Sequence, residues 1–458
     1  MEIQTGALII VLAYLVGMMI TGYVVGKINI KGSADYLVAG RRMGLFMVAF
    51  SLSANNIGGG CTTGLAQKAF GAWGISAIWY VLAASLAMIP LAYFAPKIRK
   101  TMAVTIPEVV GRRFGKLSSN FTAVLSVLSL FCLTSSQIGA SGAVINALIP
   151  SIPLNVCLLL AGFVTIFYTT FGGMIADQVS DLIQFGIILV GLAIATPLVL
   201  KHAGGWQAIS AALPGEKLNM TQIGWASIIG YFFNYFCTFL CAILMAAMSI
   251  FPTLLGLAAF ALKDQLPALA ENGSNAMMVV TGAYAPGIIT GLISAAIICA
   301  TMSSADSNLL CMSTMIINYI YPGFGGKKKL EDKQVIFYTR LCNVIAALIA
   351  MGISMFGVSL VAMNTFAFGI RCAGPFAAYG LGLAVPKATK NSGMISIFTG
   401  TIAFVVWQLL SNGGTLWFMM PVVFGSLVSV ITFYVVNLIE WKRGVPAAPS
   451  AYAVEEAK

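Results

Sequence analysis

The sequence predicts an all-α polytopic membrane protein with about thirteen transmembrane helices. Three observations carry that reading: scarce charge, a succession of apolar runs long enough to cross a bilayer, and basic residues gathered in alternate loops. Of 458 residues, 59% are hydrophobic and 9% charged, against about 25% charged in a soluble domain; mean hydropathy is +0.94. No fold in water hides so much apolar surface. Cytosolic enzyme, secreted scaffold and disordered chain are excluded, and the short loops leave no room for a large soluble domain.

The apolar runs follow in order. Gly6–Gly26 lacks a basic leader, carries Glu2 before it and is long, which predicts a retained first helix. Leu45–Ala66, Trp73–Phe94, Phe121–Ile149, Leu154–Phe171 and Val179–Leu200 come next. Ile223–Leu262, Gly287–Ile320, Ile336–Phe356, Val361–Val385, Met394–Leu410 and Leu416–Leu438 complete the set. Ile223–Leu262 is uncharged over a span of about 60 Å as a helix, twice a bilayer core. With the amino terminus outside and this run crossing twice, twenty of the 25 basic residues fall in cytoplasmic loops, among them Lys97, Arg99, Lys100, Arg112, Arg113 and Lys327–Lys329. A single crossing would put Lys327–Lys329 outside, against the positive-inside bias. The carboxyl terminus is then cytoplasmic, and the net charge of +11 belongs to the inner leaflet of a plasma membrane rather than to nucleic acid.

Catalytic chemistry finds no residues. The nine cysteines are scattered without a CxxC pair, and His202 is the sole histidine. No phosphate-binding GKS/T loop and no GxSxG elbow occurs. The chain is not read as an enzyme, and no organic cofactor is expected.

Three stretches break the rules of a lipid-facing helix. Ser51–Gly60 places Asn55, Asn56 and Gly58-Gly59-Gly60 inside an apolar run, where unwound backbone is tolerated only if it lines a cavity or is buried in protein. Such broken helices bind ions and substrates in secondary transporters. Ala300–Asn308 puts Ala300, Ser303, Ser304 and Ser307 on one helix face by their i, i+3, i+4, i+7 spacing, an oxygen stripe suited to a small hard cation, with Asp306 on its flank. In Gly172–Gln184, Asp177, Asp181 and Gln184 share a face; Asp177 is expected at the water boundary and Asp181 one turn deeper. Ionisable residues at membrane depth are functional candidates.

Together with Ser33-Ala34-Asp35-Tyr36-Leu37-Val38-Ala39-Gly40-Arg41, these stretches resemble the sodium:solute symporter family. Its members include sodium–proline, –pantothenate, –glucose and –sialic acid symporters. The resemblance implies a LeuT-type fold of two inverted five-helix repeats, here about 45–200 and 223–385. Residues 1–44 would supply an extra first helix and loop, 394–440 two peripheral helices and 441–458 a cytoplasmic tail. It implies a sodium site formed by the carbonyls of Ala54, Ile57 and Ala300 and the hydroxyls of Ser303 and Ser304. A second cation site known in some members maps to Asp181, Asp306 and Ser307; Asp306 departs from a serine, which leaves a proton site or a gate open there. The substrate pocket maps to Asn55, Asn56, Gln137, Tyr231, Asn234, Tyr235 and Phe368. Arg371, inside Val361–Val385, suits either a bidentate clamp on a substrate carboxylate or an ion pair with Asp306 or Asp181. One departure stands out: the polar connection that follows the sixth core helix in the family is missing near residue 240.

The function read from these features is sodium-coupled uptake of a small polar organic solute by alternating access. A proton-coupled symporter and a solute sensor without productive transport are the alternatives.

Overall fold

The computed structural model describes residues 5–29, 32–38, 44–234, 239–271, 273–323, 330–357 and 359–452. The first half of the described chain forms α1 (Thr5–Asn29), α2 (Ser33–Val38), α3 (Leu45–Asn56), α4 (Thr63–Phe70), α5 (Trp79–Lys100), α6 (Ile106–Phe114), α7 (Lys116–Leu148), α8 (Leu154–His202) and α9 (Gly205–Ala212). The second half forms α10 (Trp225–Asn234), α11 (Phe239–Ala261), α12 (Ala276–Tyr284), α13 (Gly287–Met315), α14 (Tyr321–Gly323) and α15 (Asp332–Ser354). It ends with α16 (Leu360–Ala373), α17 (Gly382–Ala384), α18 (Lys390–Leu410) and α19 (Pro421–Lys442). Seven helices among the described residues are long and apolar enough to cross a membrane. Three shorter apolar helices, Gly74–Leu86, Met248–Ala261 and Leu360–Ala373, accompany them.

Burial is inverted relative to a soluble protein, as a lipid solvent demands. Ile402, Leu409, Ile431 and Val435 face outward, whereas Asp177, Asp181, Asp306 and most of the helical serines are buried. At the centre α13 packs on α7, α8 and α1, and α3 is held between α8 and α13. The α18–α19 pair packs on α16 at the periphery.

Two breaks in the helical ladder position the site. The first separates α3 from α4. Ile57 leaves helical geometry at φ −97°, ψ 67°, and only a 3-10 turn at Gly59–Cys61 intervenes before α4. Neighbouring hydroxyls take up freed carbonyls: Thr62 Oγ1 donates to Gly58 O at 3.1 Å and Thr63 Oγ1 to Gly59 O at 3.2 Å. The second break lies inside α8, whose 49 residues would make a rod of roughly 74 Å if straight. Gly173 adopts φ 59°, ψ −176° there, a conformation that glycine reaches without a Cβ penalty. Gly173 thus divides α8 into two helical stretches, which fall on two of the expected crossings, Leu154–Phe171 and Val179–Leu200.

The run Ile223–Leu262 contains α10 and α11, as a double crossing requires. Ten-residue α10 rises about 15 Å, half a bilayer core. It packs on α5, α19 and α16, while α11 packs on α5, α4, α12 and α8. The chain reversal that a missing connection near residue 240 would put at Phe239–Leu244 is not there, because that stretch is the helical start of α11; residues 235–238, between α10 and α11, lie outside the described residues.

At one end of the bundle, Trp73, Tyr80 and Tyr231 pack ring against ring, with Tyr80 and Tyr231 centroids 5.1 Å apart. Beside them Lys217 caps the carboxyl end of α4, donating to Phe70 O at 2.6 Å and to Gly71 O. Its ammonium lies 4.1 Å from the Phe260 ring. Burial, then Lys263 nearby, pushes Lys217 below the usual lysine range. At the other end Arg113 of α6 donates to Val385 O at 2.5 Å and Pro386 O at 3.1 Å.

Candidate functional site

The break between α3 and α4 faces the middle of α13. Ser304 Oγ lies 2.9 Å from Asn55 O and from Ala300 O, and 3.4 Å from Ala54 O. Three backbone carbonyls and one hydroxyl therefore converge where the spacing argument placed an oxygen stripe. Ile57 is fully buried at the break. Ser303, one residue along, is turned to α8 and donates to Asp181 Oδ1; Ser51 of α3 donates to Asp181 Oδ2. Asp181 thus ties three helices together. Ser51 is a participant that sequence reasoning passed over, although its place three residues before Ala54 puts it on the same face.

Asp177 corrects an expectation. It was expected at the water boundary as a solvated carboxylate, but it is fully buried and accepts a hydrogen bond from Ser307 of α13. The reason is the packing of α1, α2 and α13 on α8, which takes this stretch out of contact with water. Tyr168 closes the other side, its hydroxyl 2.6 Å from Ser180 Oγ.

Beside the break opens a cavity of about 540 Å³, roomy enough for a small organic solute. Asn55, Asn56, Gln137, Phe368 and Arg371 line it as the sequence mapping expected. The Arg371 guanidinium sits 5.2 Å from the Phe368 ring. Gln137 also fastens the broken segment, because its Oε1 accepts from Gly59 N at 2.8 Å. Ser307 is in the wall too, so the cavity passes within one side chain of Asp177. Leu37, Val104, Thr105 and Ile106 form its rim beside the basic segments around Lys97–Lys100 and Arg112.

Tyr231 lies elsewhere: it is buried in the Trp73–Tyr80 cluster rather than in the cavity wall. The Asn234 side chain and Tyr235 lie outside the described residues. Lining residues that the sequence reading missed include Gln178, Asn308, Cys311 and Asn364. A signal existed for two of them: Asn308 adjoins the serine stripe, and Asn364 sits two turns before Arg371 on one face.

Compared with known proteins, the chain matches the model of the sodium:solute symporter family over residues 36–223 and 226–400. A sodium/proline symporter of Staphylococcus aureus (strain bovine RF122 / ET3-1) is 24% identical, the match covering 95% of this chain and 93% of that protein. The same holds for its counterpart in strain JH9. Among solved structures, a Na+-coupled sialic acid symporter in a substrate-bound outward-open state superposes with a TM-score of 0.78 at 23% identity, covering 97% of this chain and 98% of that one. Mhp1, a nucleobase-cation-symport-1 transporter, gives 0.62 at 15% identity, covering 93% and 98%. These folds are LeuT-type, as the resemblance implied. The apolar crossings, the broken helix facing a serine stripe and the match over most of the chain agree: this multi-pass membrane protein belongs to the sodium:solute symporter family and works by sodium-coupled solute uptake through alternating access.

Proposed function

We propose that the chain takes up a small carboxylate-bearing solute, held in the cavity beside the broken helix, in exchange for the free energy of sodium entry. The observation that carries this reading is the cavity wall itself: one guanidinium, Arg371, among the amides Asn55, Asn56 and Gln137, with Phe368 as an apolar floor. A planar guanidinium recognises a carboxylate through two parallel hydrogen bonds, and the amides suit the remaining polar groups. The relatives named for proline and sialic acid take solutes that both carry a carboxylate, which fits that chemistry.

Sodium sits, in this reading, among the carbonyls of Ala54, Ile57 and Ala300 and the hydroxyls of Ser303 and Ser304. Binding there joins the broken helix to α13, so the ion favours one arrangement of the two repeats, about 45–200 and 223–385. Asp181, Asp306 and Ser307 form a second cation site. One charge moving inward gains about 2.3 kcal/mol per 100 mV, so a single sodium carried with a solute of no net charge, such as an amino-acid zwitterion, supports roughly fifty-fold accumulation at that potential. The amino terminus lies outside and the carboxyl terminus in the cytoplasm, which makes the cavity rim at Val104–Ile106 cytoplasmic and the conformation inward-facing.

The test uses the protein in proteoliposomes with a panel of radiolabelled carboxylates, proline and sialic acid included, and neutral sugars as controls. An inward sodium gradient drives uptake of at least one carboxylate, and a potassium gradient does not. Cys311, which is exposed to the cavity, serves as a reporter. In a variant that keeps only this cysteine, the transported solute slows its reaction with a small methanethiosulfonate. Sodium-independent uptake, or a transported solute that leaves Cys311 equally reactive, refutes the reading.

A further inference from the structure

The segment that follows α19 takes no part in the sites described so far, yet it is not a loose tail. Gly444, at φ 70°, turns the chain out of the helix, the left-handed geometry in which helices commonly end on glycine. Val445-Pro446-Ala447-Ala448-Pro449-Ser450-Ala451-Tyr452 then runs on without helix. Burial along it repeats every three residues: Val445 is partly buried and Ala448 and Ala451 are buried, while the prolines, Ala447 and Ser450 are exposed. A three-residue period is that of polyproline II, whose backbone groups look outside the segment for partners. Ala448 N finds one, donating to Ala388 O at 2.7 Å. The root is fixed by Val445 N on Glu440 O at 3.0 Å and by Trp441 Nε1 on Lys387 O at 2.7 Å. At the far end Ala451 and Tyr452 pack on Ala103 and Val109 of the α6 region and on Tyr379 and Leu383 beyond α16. Tyr452 also faces Arg113, the residue that holds the Val385 and Pro386 carbonyls.

These contacts bracket the mouth of the cavity. Val104, Thr105 and Ile106 form its rim; Ala103 comes immediately before them and Val109 one turn after, and both carry the end of the segment. Thr105 Oγ1 lies 2.7 Å from the Tyr319 hydroxyl, so the same rim is tied to the stretch that follows α13. We propose that residues 445–452 are a strap that holds this mouth open, and that closing the mouth strips Ala448 and Ala451 from their seats. The proposal rests on the inward-facing reading of the proposed function. A contact made in one arrangement and lost in the other shifts the balance by its own free energy. The Ala448–Ala388 hydrogen bond alone supports a bias of about fivefold toward the open mouth. Release and return are cheap, because Pro446 and Pro449 restrict the free segment and leave little entropy to lose on docking.

The experiment uses the full-length protein with Cys311 as its only cysteine, purified in detergent without sodium or solute, and a small methanethiosulfonate as the probe. Cys311 lines the cavity about two turns beyond Ser304 toward Tyr319, so its rate of reaction reports how far the mouth at the rim is open. Ala448→Pro removes the N–H that reaches Ala388 while keeping a backbone angle that polyproline II accepts. Ala451→Lys cannot fit a seat that is fully buried. Each slows the reaction of Cys311 about fivefold or more. Ala447→Lys, at an exposed position of the same segment, leaves the rate unchanged. A synthetic peptide of residues 444–452, added at millimolar concentration to the Ala451→Lys protein, restores the rate; the same peptide carrying Ala451→Lys does not. Wild-type or faster reaction in both strap variants overturns the proposal. So does equal slowing by Ala447→Lys, or a wild-type peptide that restores nothing. The transport reading is judged separately: sodium-independent uptake refutes it, while slowed Cys311 in the empty protein still establishes the strap.

Discussion

Replacing Gly59 with alanine tests whether the broken helix is held by close approach to α7. A Cβ built on Gly59 would lie 2.0 Å from Ala140 Cβ and 3.4 Å from Thr301 Cγ2. Carbon atoms rest about 3.5–4.0 Å apart, so the α3–α4 junction must move off α7 by about 1.5 Å or more. Ala140 is fully buried and has no rotamer through which to yield, which places the cost near the top of the range of about 1–3 kcal/mol for overpacking. Gly60→Ala is the internal comparison. Its Cβ would approach Asn364 Nδ2 at 2.1 Å, but that is the end of a side chain that can swing aside, so the cost is about 1 kcal/mol. Thermal unfolding in detergent, followed by tryptophan fluorescence, ranks wild type above Gly60→Ala and Gly60→Ala above Gly59→Ala. The double variant Gly59→Ala, Ala140→Gly recovers all but the ~1 kcal/mol of a glycine inside α7. Sodium dependence shifts in the same order, since metal ligands tolerate only about 0.2 Å of displacement. If Gly59→Ala unfolds with wild type, or if Ala140→Gly fails to rescue it, the close-approach argument is wrong.

Ser304→Ala removes the hydroxyl that joins α13 to Ala54 and Asn55, and should raise the sodium concentration for half-maximal uptake at least about tenfold, or 1.4 kcal/mol; unchanged sodium dependence excludes the site. Arg371→Lys keeps the charge but loses the planar fork, so the affinity for a carboxylate solute falls while the unfolding temperature holds. A transported solute that binds Arg371→Gln as well as wild type makes the arginine structural. Lys217→Ala uncaps Phe70 and Gly71 and should destabilise by about 1 kcal/mol, visible in the unfolding temperature; no change there would show that the cap contributes nothing.

Much of the fold was legible because membrane burial writes itself into composition. A run free of charge has one solvent available, and such runs recur along the whole chain. The break at Gly58–Gly60 was legible for a local reason: adjacent asparagines and three glycines are poor helix formers. The serine stripe was legible by periodicity, and Ser304 does meet Ala54 and Asn55. The division of α8 at Gly173 was legible too, since Leu154–Phe171 and Val179–Leu200 read as separate crossings on either side of it. The place of Tyr231 was not, because its ring has similar chemistry in a cavity wall or in an aromatic cluster.

Asp177 shows why burial of a charged residue is hard to read from spacing. Its neighbours along the chain, Gly172-Gly173 before it and Gln178 after it, have the composition of a helix end near water. Only the third dimension reverses that, because α13 crosses at the same depth and brings Asp306 and Ser307 opposite it. The two aspartates lie 129 positions apart, and neither means much without the other. A lone aspartate in either place could be solvated or paired with a lysine; facing each other in the interior they are neutralised by a shared proton or by a bound cation. The same crossing brings Ser303 to Asp181. One contact face between α8 and α13 therefore holds Asp181 with its hydroxyls and, one turn along, Asp177 facing Ser307 and Asp306. A substitution that pushes these helices apart should break the hydrogen bonds of Asp177 and Asp181 together and lower the unfolding temperature.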